Sequence, residues 1–339
     1  MKAIVHLIVM MIIGLVSSQT SAAKSTDWAL IIGITKYVHP QEREVKIEYA
    51  AKDAIAFRDF LASPEGGRFD SENIKLMIDD DARRENINGG ISWLGRNAQN
   101  SGTVYVYISG HAVLSGNNNL QLIPHDGSID DSVNSLISID EFIRHLHEQV
   151  DSRNMFIFLD VCHAGATIPS QYFPTLPGRS RMIFASAAKD QTARESRELE
   201  SSIFSHYLIA ALRSAAKQAP DGNMRGSDIV DRVTAQVLAQ ALKEHHVEQR
   251  PIAWPSPPPN LVLGRRVTDR SPSLNDQQMG PPFDLHVPPP APPMPRSSRQ
   301  GLLWGLVGGL GVVTVVGVTV GLIAGLHPCL GCLEKTLTY

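Results

Sequence analysis

Cysteine is scarce in this chain: three in 339 residues, and only Cys162 lies upstream of the last dozen positions. A single cysteine within the globular region leaves no pair there for a disulfide framework. Charge of one sign is also lacking. Lys and Arg number 31 against 34 Asp and Glu, a formal net charge of −3. No basic field exists to attract nucleic acid, so that class of partner is excluded. Histidine and cysteine are nowhere spaced as zinc ligands. His145-x-His147 on a helix would point its rings apart, and His245-His246 has no third donor at ligand spacing. Zinc is therefore not expected. Acidic runs at Asp79-Asp80-Asp81 and Asp130-Asp131 lack the alternating oxygen ligands of a dedicated calcium loop. Cofactors are expected to be none, with calcium a minor alternative.

Apolar segments and proline, by contrast, are concentrated at the chain ends. Residues 3–16 form an apolar run behind Lys2, too short to span a bilayer comfortably, and end in the small residues Ser21-Ala22-Ala23. This reads as a signal peptide over 1–23. Residues 301–326 carry no charge, and as a helix they would extend roughly 39 Å, enough to cross a membrane with tilt. Glycines 301, 305, 309, 317, 321 and 325 lie on one face of that helix, where a second copy could pack, so a homodimer through the membrane is one expectation. Fourteen of the 22 prolines fall between Pro251 and Pro295, which makes 267–300 an extended linker that cannot form a core. Residues 327–339 are a short tail bearing Cys329 and Cys332. The signal peptide places the main domain, 24–266, outside the cytoplasm. Arg296 and Arg299 before the membrane segment, against Lys335 after it, weigh on the other side.

Within 24–266, β-rich apolar runs at 28–35, 73–79, 103–109, 154–161 and 181–187 alternate with amphipathic helical patterns at 49–62, 83–98, 138–150, 201–217 and 226–245, the last capped by Ser227 or Asp228. Nearly continuous apolar strands indicate a sheet buried on both faces. The alternation predicts an α/β fold, a mostly parallel sheet with helices on both sides. Sites in such folds form at the carboxyl ends of strands. Two ends carry reactive groups. The 103–109 run leads into Ser109-Gly110-His111-Ala112, and the 154–161 run leads through Asp160-Val161-Cys162-His163-Ala164-Gly165. On neighbouring parallel strands, His111 could take the proton of Cys162 and leave a thiolate nucleophile.

These motifs resemble those of caspase-like cysteine peptidases, the metacaspase and bacterial orthocaspase branch in particular. The similarity runs from Ala29-Leu30-Ile31-Ile32-Gly33-Ile34 through Ala51-Lys52-Asp53-Ala54 to Gln249-Arg250-Pro251 and Leu261-Val262-Leu263-Gly264. It implies a three-layer fold, His111 as general base and Cys162 as nucleophile. It also implies an oxyanion site made by the backbone N–H groups of Cys162 and Ala112. Glycine is usual at the latter position. If that loop needs a left-handed backbone, Ala112 is strained, and a domain kept only for binding or signalling becomes the alternative. The resemblance further implies that Asp53, Ser109 and Asp160, with Glu195 as an added acid, line a pocket for the residue preceding the cut. Carboxylates there would pair with a guanidinium or ammonium, so the expected partners are peptides and proteins carrying Arg or Lys. The loop at 166–180, with Arg179, is a place for self-processing.

Overall fold

The computed structural model describes residues 26–39, 46–116, 119–166, 178–258 and 260–267. The expected signal peptide, most of the linker, the membrane segment and the cysteine-bearing tail lie outside these residues, as does most of the 166–180 loop. Among the described residues, no helix is long and apolar enough to cross a membrane.

Along the chain come β1 (Trp28–Gly33), α1 (Ala50–Ala62), β2 (Ile74–Ile78), α2 (Arg84–Asn97) and β3 (Ser101–Ser109). Three short strands follow, β4 (Ala112–Leu114), β5 (Leu120–Leu122) and β6 (Ile137–Ser138), then α3 (Ile139–Gln149) and β7 (Ser152–Asp160). After β8 (Ser180–Ala185) the chain forms β9 (Glu195–Ser196), β10 (Ser201–Ser202) and α4 (Ile203–Gln218). It closes with β11 (Asn223–Arg225), α5 (Gly226–His245), β12 (Ile252–Trp254) and β13 (Val262–Arg265). One six-stranded sheet, in the order β12-β8-β7-β3-β1-β2, organises the domain. All its pairings are parallel except β12 with β8.

Alternation along each strand sends successive side chains to opposite faces. Leu30 and Ile32 of β1, with Val104, Val106 and Ile108 of β3, pack beneath α2 and α3 through Ile87, Ile91, Leu94, Phe142 and Leu146. Ala29 and Ile31, with Tyr105, Tyr107, Phe156 and Phe158, face α1, α4 and α5 through Phe57, Phe60, Phe204, Leu208 and Val233. Each buried Phe or Leu contributes roughly 1.5–3 kcal/mol relative to exposure. The expected three layers are present.

Two local expectations change. No periodicity announces the small β4-β5-β6 sheet, whose strands are too short to show one. Neither Ser227 nor Asp228 caps α5. That helix starts at Gly226 with Arg225 at its cap position and no side-chain cap bond. β11 feeds straight into it, and the Gly226 N–H donates instead to Leu261 C=O at 2.8 Å. Asp228 remains in the first turn, where its charge favours the positive end of the helix.

Candidate active site

The central strands β3 and β7 run in register, with Ser109 opposite Asp160. Beyond that pair the Gly110 N–H still reaches Asp160 C=O at 3.4 Å. His111 and Cys162 each follow two residues after a paired partner, so they emerge at the same carboxyl edge, on adjacent strands. Both are buried. Neither ring nitrogen of His111 has a hydrogen-bond partner among the described residues. Burial, with a smaller contribution from His163, holds its pKa down to about 4. The imidazole is therefore neutral near pH 7, the form that can accept a proton.

Cys162 is disulfide-bonded in this structure. Nucleophilic chemistry requires the reduced thiolate.

The turn after Cys162 is tight. His163 takes a left-handed backbone, with φ 57°. Its N–H donates to Gln191 C=O at 3.1 Å, and its Nδ1 lies 3.0 Å from Lys189 C=O. Gly165 sits directly on this same segment. A Cβ at that position would come within 2.7 Å of the Lys189 nitrogen and 2.9 Å of Ala187 oxygen, both immovable backbone. The Ser186 hydroxyl donates to Val161 C=O at 3.1 Å, and the buried Gln249 amide bridges Ser186 C=O and Arg194 N–H at 2.9 and 3.0 Å.

Ala112 opens β4 and is absent from the left-handed residues of the described chain. The strain that its identity threatened does not arise. The β4–β5 ladder bonds Ile123 N–H to His111 C=O and Ser115 N–H to Asn119 C=O. Hydrogen-bonded pairs alternate in an antiparallel ladder, so the intervening Ala112–Leu122 pair is not bonded and the Ala112 amide turns away from β5. β4 is the edge strand of its small sheet.

The acidic residues form one connected group. Asp53, on α1, accepts the Ser201 hydroxyl at 2.6 Å and the Ser202 N–H at 2.8 Å. Asp160 accepts the hydroxyl of Ser205, which is shared with Tyr107. Ser109 is buried at the end of β3 beside them. Glu195 lies opposite Ser202 across β9 and β10. Its two oxygens accept the N–H groups of Glu48 and Tyr49 at 2.8 and 2.9 Å, just ahead of α1. Burial raises the pKa of all three carboxyls. Asp53 is pushed up to about 8, with hydrogen bonds from Ser201 and Ser202 opposing and the charges of Asp160 and Glu195 adding. The leading charges acting on these acids are each other's and that of Glu48, and no Lys or Arg of the described residues figures among these leading causes.

The structure thus brings together His111, Cys162, Ser109 and Asp160 at one edge, with Asp53 and Glu195 joined to Asp160 through the serines. Sequence reasoning missed Tyr37, Tyr107 and the serines at 201, 202 and 205. Ser202 and Ser205 are three apart at the start of a helix, so their shared direction was the available signal. The acidic triplet has internal uses. Asp79 Oδ1 accepts the N–H groups of Thr35 and Lys36 at 2.8 and 2.9 Å, and Asp80 lies 2.7 Å from His125 Nε2. Asp131 accepts the Asn134 side chain at 2.9 Å. Arg179 pairs with Asp151 at 2.6 Å.

A parallel αβα sandwich that delivers a histidine and a cysteine to one edge of its central strands defines a peptidase class of α/β domain. The family model described as the caspase domain matches residues 26–260, and the chain belongs to that family of caspase-like peptidases. A protein named as a probable protease, from a Desulfuromonadales bacterium, is 30% identical over 156 residues, covering 40% of this chain and 18% of that protein. The chain therefore spans under a fifth of that relative's length. Among solved structures, a protein from Geobacter sulfurreducens aligns at 12% identity with a TM-score of 0.48, over 69% of this chain and 94% of that one. Caspase-1 from Spodoptera frugiperda aligns at 15% with a TM-score of 0.47, over 69% and 87%.

Proposed function

We propose that this chain is a cysteine endopeptidase of the metacaspase and orthocaspase branch, cutting peptide bonds after Arg or Lys. Neutral His111 takes the proton of the Cys162 thiol, and the thiolate attacks the scissile carbonyl carbon. The resulting oxyanion is held by the backbone N–H groups of Ala112 and Cys162. Collapse breaks the C–N bond, with the imidazolium returning its proton to the leaving amine. The thioester left on Cys162 is hydrolysed by water, whose proton His111 accepts.

The uncompensated acids at Asp53 and Asp160 are the observation that carries this reading. Burial pushes both carboxyls toward the protonated form, and a guanidinium or ammonium entering beside them supplies the countercharge that favours ionisation. An acidic residue would find no countercharge among these acids. Ser109 sits where it can accept or donate alongside. Glu195, with both oxygens engaged by the start of α1, adds charge from behind. The chain ends add a membrane tether and delivery outside the cytoplasm to the proposal.

The reduced full chain, given fluorogenic peptides ending in Arg, Lys or Asp, tests this directly. Cleavage after Arg, weaker after Lys and lost in Cys162→Ala, is the expected result. A folded, reduced enzyme that cuts only after Asp, or cuts nothing with or without calcium, overturns the reading.

A further inference from the structure

The imidazole of His111 is not oriented in the customary way. Among the described residues its two ring nitrogens have no hydrogen-bond partner, so no third side chain there holds the base through its far nitrogen. Tyr37 approaches it from another direction. This residue is buried on the loop that leaves β1. Its hydroxyl accepts the His111 backbone N–H at 2.8 Å and donates to Ile34 C=O at 3.1 Å. Its ring meets the imidazole edge-on, with centroids 6.4 Å apart and planes at 81°.

The loop that carries Tyr37 is itself held on each side. Ile34 N–H donates to Ser109 C=O at 2.9 Å, and Asp79 takes the next two amides, those of Thr35 and Lys36. His125 Nδ1 lies 2.7 Å from Lys36 C=O, while His125 C=O accepts the Val38 N–H at 2.9 Å. Gly110 leaves room for this arrangement. A Cβ there would stand 3.2 Å from the Tyr37 hydroxyl and 3.4 Å from Ile34 Cβ, although Gly110 has no left-handed φ. The glycine before His111 thus serves the tyrosine rather than a special backbone turn.

We infer that Tyr37 is the positioning residue of the catalytic base: its hydroxyl and ring edge fix His111 in line with Cys162. The inference rests on the proposed dyad, so its test reads the thiol rather than peptide cleavage. In the reduced full chain, the rate of iodoacetamide reaction at Cys162 is followed across the neutral pH range by peptide mass spectrometry. Tyr37→Phe is expected to slow it about ten-fold, the factor one hydrogen bond carries, and to move the pH profile toward that of His111→Ala. Tyr37→Leu, which also loses the ring edge, moves it further, while melting temperatures report any general loss of structure. A wild-type profile in both Tyr37 variants, with His111→Ala slowed, overturns the inference and leaves the dyad standing. An unchanged profile in His111→Ala overturns the dyad and this role together. Should the tyrosine variants fail to fold, Gly110→Ala crowds the same hydroxyl. It is expected to slow alkylation, and an unaltered rate there also overturns the role.

Discussion

At the scale of single residues, the proposed pocket turns on buried carboxyls hydrogen-bonded to serines. Asp53 is neutral at neutral pH because burial and neighbouring acids push it up to about 8. Binding a cationic side chain must then expel its proton, so affinity rises with pH until Asp53 ionises unaided. Anisotropy of an Arg-terminated peptide on Cys162→Ala protein should show tighter binding from neutral pH toward about 8, the pKa of Asp53. Asp53→Asn should weaken and flatten that curve. A slope unchanged by the substitution would remove Asp53 from the pocket. Gly165→Ala forces a methyl against the backbone of Ala187 and Lys189. It should reduce kcat by at least roughly ten-fold, since a small displacement of a nucleophile is costly. KM should change little.

Elements differ in how legibly they are written. The five long strands and five helices are legible because each is a run of apolar residues long enough to display its period: Ser152–Asp160 and Ser101–Ser109 bury both faces, and α3 shows a sharp apolar stripe. His111 and Cys162 are legible as a candidate pair for the same reason, because each follows two residues after such a strand. β4, β5, β6 and β12 have two or three residues each and no period to read. The serine network was hidden too, since serine reads as loop or helix start wherever it falls. Glu195 illustrates the limit. Its acidity suggested the pocket, yet its oxygens join the residues ahead of α1, which has no side-chain cap of its own. Glu195→Ala should therefore lower stability by about 1 kcal/mol in thermal or denaturant unfolding. Its effect on KM should be smaller than that of Asp53→Asn. A large KM rise with unchanged stability would return Glu195 to the pocket.

For the whole molecule, His111 and Asp53 act oppositely on stability. His111 has a folded pKa of about 4, below its ordinary 6.5, so the unfolded chain binds more protons between those values and stability falls on acidification. Asp53, raised from 3.8 to about 8, makes the folded chain the better proton binder, and stability falls as pH rises through that window. Above 6.5 the His111 contribution is constant and that of Asp53 still changes. Between there and 8, unfolding free energy should drop by about 2 kcal/mol from this group. Denaturant titrations should show Asp53→Asn making that drop smaller by about this amount. A wild-type curve flat or rising over the same range would contradict it.

The sheet ends on β12, three residues set between Pro251 and Pro255. Proline has no amide hydrogen to offer and cannot extend a ladder. A strand arriving from another molecule would find too few exposed bonds on that side to template growth. The domain can then be crowded on a membrane or concentrated in solution without stacking sheet upon sheet along this edge, whatever else brings its copies together.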